Sequence, residues 1–207
     1  REGHRSGHGI PLSNQVPSST HRYVPGASGP RHSSNKLKIL GIDPGSVATG
    51  YGAIESDGNN HLLLEYGVLK SPASLSFPEK LLHIHTRLLE IIEECRPDRM
   101  AVESLFYAAN VKSALKLGHV RGVALVAGVS KGLPIDEYSP LEIKQAVVGY
   151  GRADKAQVQK MVMLLLGLEK PPEPHDAADA LAVALCHAHR LRFERKIAGG
   201  ETVRSKS

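Results

Sequence analysis

The run Lys38-Ile-Leu-Gly-Ile-Asp43-Pro-Gly45 limits the possible folds more than any other stretch of this chain. A short apolar segment ends on a single carboxylate and is then stopped by Pro-Gly, which reads as a buried strand meeting a turn. Asp43 at the strand's last position can project from a sheet rim toward a cleft. Taken alone, an Asp before Pro-Gly is equally well a turn initiator. Two more acidic segments stand in comparable places: Ala101-Val-Glu103, where Glu103 is the first polar residue after Met-Ala-Val, and His175-Asp176-Ala-Ala-Asp179. As a lone residue, Glu103 reads as an ordinary strand-end Glu. Three separate segments thus offer carboxylates.

Asp176 and Asp179 are three apart on a predicted helix, which places them on one face about 5–6 Å from each other. Both lie in its first turn, where the helix dipole favours a carboxylate for stability alone. The rest of that helix (Ala177, Ala178, Ala180, Leu181, Val183, Ala184, Leu185) is small and apolar enough to seat tightly on a sheet. Four carboxylates held together repel unless a divalent cation neutralises them, and an oxygen-only set suits Mg²⁺ or Mn²⁺ rather than zinc. Two such ions about 3.5–4 Å apart activate a water and stabilise the leaving oxygen of a phosphodiester. The pattern points to phosphoryl chemistry on nucleic acid.

With 207 residues, 41% of them hydrophobic, the chain suits one domain with a sizeable core. Residues 1–35 are rich in Ser, Gly, Pro and His and show no periodicity, so they read as a disordered N-terminal extension. Its four histidines (His4, His8, His21, His32) are irregularly spaced and read as part of a solvated tail rather than a metal motif. The domain is expected over residues 36–193, with a flexible basic tail over 194–207.

The net charge of +5 comes from the ends. Residues 1–35 hold four Arg against one Glu, and residues 190–207 hold six basic against two acidic residues. The middle, with sixteen basic against eighteen acidic residues, is slightly negative. Charge balance is therefore weak ground for a nucleic-acid surface on the domain itself.

Two cysteines, Cys95 and Cys186, cannot form a disulfide framework, and no stretch reaches the roughly 18 apolar residues of a membrane span. The expectation is a cytoplasmic protein with no membrane contact.

Three strand-like runs (37–42, 50–55, 62–69) separated by Gly, Ser and Asn read as a meander. A helix follows from Pro78 to about Arg96-Pro97, then a strand at 100–102 and a helix over 111–129 with small residues at Ala114, Gly118, Gly122, Ala124 and Ala127. A strand at 135–138, helices at 144–148 and 153–166, and a last helix at 175–193 complete an α/β pattern. The expected architecture is a mixed sheet flanked by helices.

Several strings together resemble the RuvC family of bacterial Holliday-junction endonucleases: Ile39-Leu-Gly-Ile-Asp-Pro-Gly-Ser46, Thr49-Gly-Tyr-Gly52, Ser113-Ala-Leu-Lys-Leu-Gly118, Arg121-Gly-Val-Ala124, Gly149-Tyr-Gly151 and Asp176-Ala-Ala-Asp-Ala-Leu-Ala182. The likeness runs from about Leu37 to His189. It implies a ribonuclease H-like fold and a homodimer that nicks two like-polarity strands of a four-way DNA junction symmetrically, leaving 5′-phosphates. Asp43, Glu103, Asp176 and Asp179 match the family's metal-binding acids, implying two Mg²⁺ per site, with Mn²⁺ able to substitute. Some relatives carry His at the third of these positions. His175 immediately precedes Asp176 here, and the spacing to Asp179 favours Asp176.

Phe106 matches a family aromatic that stacks on an unpaired base, a contact of about 1–3 kcal/mol. Lys144 and Lys155 match basic positions near the scissile phosphate, Lys155 with a catalytic role. Lys112, Arg121 and Arg152 are further candidates for backbone contacts, which position DNA without reading it. By residue type alone, Phe106 also suits a core, and each Lys an exposed helix face.

The helix at 111–129 is the candidate dimer interface, and the resemblance implies RuvA and RuvB as partners. The same first hairpin also resembles the phosphate-binding hairpin of the actin, sugar kinase and chaperone ATPase superfamily, which needs a second related domain. Two further readings are a junction-binding protein without nuclease activity and a ribonuclease H-like enzyme acting on RNA.

Overall fold

The structure, a computed structural model, describes residues 21–22, 36–45, 47–104 and 111–198. The run that opens on Leu37 forms strand β2 (Leu37–Asp43), counting the two-residue β1 (His21–Arg22) first. Its side chains alternate as a strand's must: Ile39 joins one core cluster, while Leu40 and Ile42 join the other. The meander is completed by β3 (Ala48–Ser56) and β4 (His61–Lys70), each antiparallel to its predecessor. Strands β5 (Arg99–Glu103) and β6 (Ile135–Tyr138) add in parallel beyond β2. The sheet order is β1-β4-β3-β2-β5-β6, so β2 sits in the interior with an antiparallel neighbour on one side and a parallel one on the other.

Each face of this mixed sheet carries its own helices. Helices α1 (Phe77–Cys95) and α2 (Val111–Ser130) cover Leu40, Ile42, Met100 and Val102. Helix α1 starts with Ser76 and Glu79 in a reciprocal capping box and ends at Arg96, whose left-handed conformation (φ 46°) precedes Pro97. The other face holds α3 (Pro140–Val148), α4 (Lys155–Leu165) and α5 (His175–Ala198). Helix α5 is the central element of that face. Its residues Ala177, Ala178, Ala180, Leu181, Ala182, Val183, Ala184 and Leu185 are all buried, because the sheet covers one side and α3 and α4 the other.

Most boundaries fall within two residues of the sequence reading, and three differ further. Helix α3 begins at Pro140 rather than Lys144, because Ser139 and Glu142 form a capping box with Pro at the first helical position. Helix α5 continues to Ala198, so the first five residues assigned to a flexible tail are helical. Arg190 holds Glu194 at 3.0 Å there, and Arg195 and Lys196 in the last turn complement the helix dipole. Within the stretch assigned to a disordered extension, His21 and Arg22 pair with Tyr66 and Glu65 on β4.

Candidate metal-dependent active site

Asp43 and Glu103 are the last residues of β2 and β5, and the parallel register that pairs Ile42 with Val102 leaves them side by side. Their carboxyl groups share a hydrogen bond. Burial, followed by the neighbouring Glu103, pushes the Asp43 carboxyl well above the ordinary carboxylate range, and Asp179 and Asp176 push it the same way. Burial likewise raises Glu103, and the charge of Asp179 adds to this. The cluster is thus one electrostatic unit assembled from β2, β5 and α5.

Close backbone approach brings α5 into this unit. A Cβ added to Gly50 would fall 1.9 Å from the Asp176 carbonyl oxygen, and one added to Gly41 would fall 2.1 Å from the Ala180 carbonyl oxygen. Only residues without side chains at these two points let the helix lie this near β2 and β3, with its first turn over the carboxyl end of β2. Asp176 and Asp179 are half-buried there, whereas His175 is exposed, and it is the Asp176 charge that reaches Asp43. The glycine spacing facing an alanine-rich helix was the available sequence signal for this approach, and the sequence reading placed the small residues on the helix alone.

Two lysines border the carboxylates. Asp154 caps α4 by accepting the Gln157 N–H at 2.8 Å, and this fixes the adjacent Lys155 at the helix start. The Lys155 ammonium donates to Asp179 Oδ2 at 3.1 Å, and that carboxylate holds the lysine's proton more tightly than usual. Lys144, half-buried on α3, lowers the Glu103 carboxyl together with Lys155.

Lys112 and Arg152 are exposed. Arg121 pairs with Glu137, and its Nε is buried without a hydrogen-bond partner. Phe106 lies outside the described residues.

Among the described residues, no three His, Cys, Asp or Glu side chains stand in a geometry that could hold one metal ion. The repulsion is offset in part by the hydrogen bond between Asp43 and Glu103 and by the Lys155 ammonium on Asp179. The donor set itself fits a hard divalent cation: all ligands are oxygen, and their mutual repulsion is what such an ion relieves.

The family model described as "Crossover junction endodeoxyribonuclease RuvC" matches residues 39–187. A protein of that name from Alkaliphilus oremlandii is 52% identical over 155 residues, covering 75% of this chain and 94% of the relative. One from Chloroflexus aurantiacus is 51% identical over 153 residues, covering 74% and 93%. Among solved structures, Thermus thermophilus RuvC in complex with Holliday junction substrate is 37% identical with a TM-score of 0.73, covering 76% of this chain and 96% of that one. The yeast mitochondrial Holliday junction resolvase Ydc2, 14% identical with a TM-score of 0.57, shares the fold.

Proposed function

The chain belongs to the RuvC family of crossover junction endodeoxyribonucleases, and on that premise we propose how its own residues cut a four-way DNA junction. It is a hydrolase that breaks DNA phosphodiesters. The observation that carries the reading is the convergence of Asp43, Glu103, Asp176 and Asp179 on one electrostatic unit bordered by Lys155 and Lys144. Asp43, Glu103, Asp176 and Asp179 would hold the divalent cation, Mg²⁺ with Mn²⁺ as a substitute, two ions per site. When bound, the metal supplies a nucleophilic water at neutral pH and charge stabilisation on the phosphate.

The protein's own groups do the rest. A bound cation would compete with the proton shared by Asp43 and Glu103, because both occupy the same oxygens. Lys155 leaves Asp179 for the scissile phosphate and Lys144 approaches it from α3, each placing an ammonium where negative charge develops. Phe106 stacks on an unpaired base to hold the junction open, and Lys112 and Arg152 contact backbone phosphates. Arg121 joins them only by releasing Glu137.

Symmetric nicking of two like-polarity strands, leaving 5′-phosphates, needs two sites at fixed separation, hence a homodimer. The α1/α2 face supports this: Leu115, Val126 and Val129 on α2 are exposed, beside an open groove of about 600 Å³. RuvA and RuvB are the expected partners of that dimer. Its place is the cytoplasm, a reading supported by the two free, buried thiols Cys95 and Cys186. The nuclease domain, expected from sequence over 36–193, takes in the rest of α5 to Ala198 and lies between an N-terminal extension and a C-terminal basic segment.

The direct test is cleavage of a synthetic four-way junction beside linear duplex and an RNA–DNA hybrid, in Mg²⁺ and in EDTA. Symmetric metal-dependent nicks confined to the junction are expected. Preferential cutting of the hybrid would move the substrate to RNA. Lys155→Ala should slow cutting more than it weakens junction binding, and equal losses would remove its catalytic role.

A further inference from the structure

Two histidines far from the acidic cluster are arranged in a way that the nuclease reaction does not use. His61 opens β4 and His189 lies on α5, roughly 20 Å along the helix axis from Asp176. Their ring centres are 5.2 Å apart with the planes tilted by 58°. Each ring is tied through Nδ1 to an oxygen: His189 to the Ala146 carbonyl at 2.9 Å, and His61 to Ser56 Oγ at 2.8 Å.

The first of these bonds fixes a tautomer. A carbonyl only accepts, so His189 Nδ1 carries the hydrogen and Nε2 keeps its lone pair. Ser56 Oγ already receives the Gly58 N–H at 2.9 Å, and its second lone pair can accept from His61 Nδ1. Neither Nε2 has a hydrogen-bond partner among the described residues.

Imidazole anchored through Nδ1–H to an oxygen, with Nε2 free, is the second-sphere arrangement of metal-ligating histidine. Two imidazoles on one tetrahedral ion at metal–nitrogen distances of about 2.0–2.1 Å place their ring centres roughly 5 Å apart, as observed. Burial, with His189 beside it, keeps His61 uncharged, the form that coordinates. Of the charges facing the pair, Asp57 on the β3–β4 turn favours a cation, and Arg192, packed on the same turn, opposes one.

We propose that His61 and His189 form a two-imidazole site for a borderline transition-metal ion of the zinc, nickel or copper class, with water completing the coordination. The site differs in kind from the acidic cluster, whose oxygens select hard cations. An ion there ties the β3–β4 hairpin to α5, the helix whose first turn supplies Asp176 and Asp179, and so braces the fold from the far end of that helix.

The test uses the full chain stripped with EDTA and titrated with Zn²⁺, read by thermal melting and by zinc uptake. With excess Mg²⁺ present to fill the acidic cluster, one saturable zinc site per chain with a rise in Tm is expected. Apparent affinity should fall at least tenfold in His61→Ala and in His189→Ala, and stay unchanged when His4, His8, His21 and His32 are all replaced by Ala. Unchanged affinity in either single variant, or loss with the four N-terminal replacements, overturns the proposal. Should the single variants fail to fold, ¹⁵N spectra of wild-type histidine rings decide. Zinc must shift the Nε2 resonances of His61 and His189, and a shift confined to other rings overturns it.

Discussion

The two faces of the sheet use small residues to opposite ends. On the α5 face, Gly41 and Gly50 are filled to contact by helix backbone, and the alanines of α5 are buried from every side. On the other face, Gly118 and Gly122 of α2 have nothing within 4 Å, and Val111, Leu115, Val126 and Val129 are exposed. Small residues on the first face are spent within the chain, to bring two carboxylates onto the sheet rim. On the second, Ala124, Ala127 and Gly128 are likewise buried within the chain, but Gly118 and Gly122 remain available to another molecule. The same composition therefore marks an internal seat or an external interface, according to what the fold has already placed against it.

The sharpest test of the first face is Asp43→Asn. Cleavage should fall by at least about a hundredfold, since changes merely outside a metal's ligand sphere already cost 10–100-fold, while junction binding and Tm survive. A fall in Tm alongside activity would mean that Asp43 is a structural turn residue instead.

Gly50→Ala attacks the seat rather than the ligand. Its Cβ would meet helix backbone, and overpacking of this kind costs about 1–3 kcal/mol, so melting temperature and cleavage should drop together. On the second face, Val126→Glu should leave the monomer's Tm unchanged and weaken self-association by at least about tenfold, the scale of one buried interface contact, as read by sedimentation. Persistence of monomer in wild type at micromolar concentration would remove the contrast between the faces.

Gly118→Ala is the gentlest probe. Ala exceeds Gly in a helix interior by about 0.8–1 kcal/mol, so with open space around it the monomer should be stabilised, the reverse of Gly50→Ala. Acid should affect both faces alike. Glu79 and Glu142 each accept from their capping serines, Ser76 and Ser139, which holds both below the usual carboxylate range. Their folded form binds protons less readily than the unfolded chain, so the stability they add is fully present above the ordinary glutamate range and is lost as pH falls through the lowered folded-state value. Melting curves from pH 6 to 3 should show this, with a shallower fall in Glu79→Gln and in Glu142→Gln.

The strands, the helices and the four acids were legible because each is a local pattern: alternation, a three-residue spacing, a carboxylate after an apolar run. The parallel register setting Asp43 beside Glu103 was not, since pairing is decided by packing between residues 60 apart in sequence. Nor was the close approach at Gly50, because a glycine shows only what it permits. The Arg121–Glu137 pair was hidden for the same reason. A basic residue on a helix reads as a candidate DNA contact until the strand across from it is known.

The site's dispersal along the chain also has a consequence for when activity can arise. Asp43 is on the first long strand, and Asp176 and Asp179 on the last described helix, with β3 to β6 and α1 to α4 between them in sequence. A ribosome adding about 5–20 residues per second makes the sheet rim many seconds before the helix that completes it. Until α5 emerges and docks, a nascent chain holds at most two of the four acids in place, so the acidic unit stays incomplete until the helix that closes it has been made.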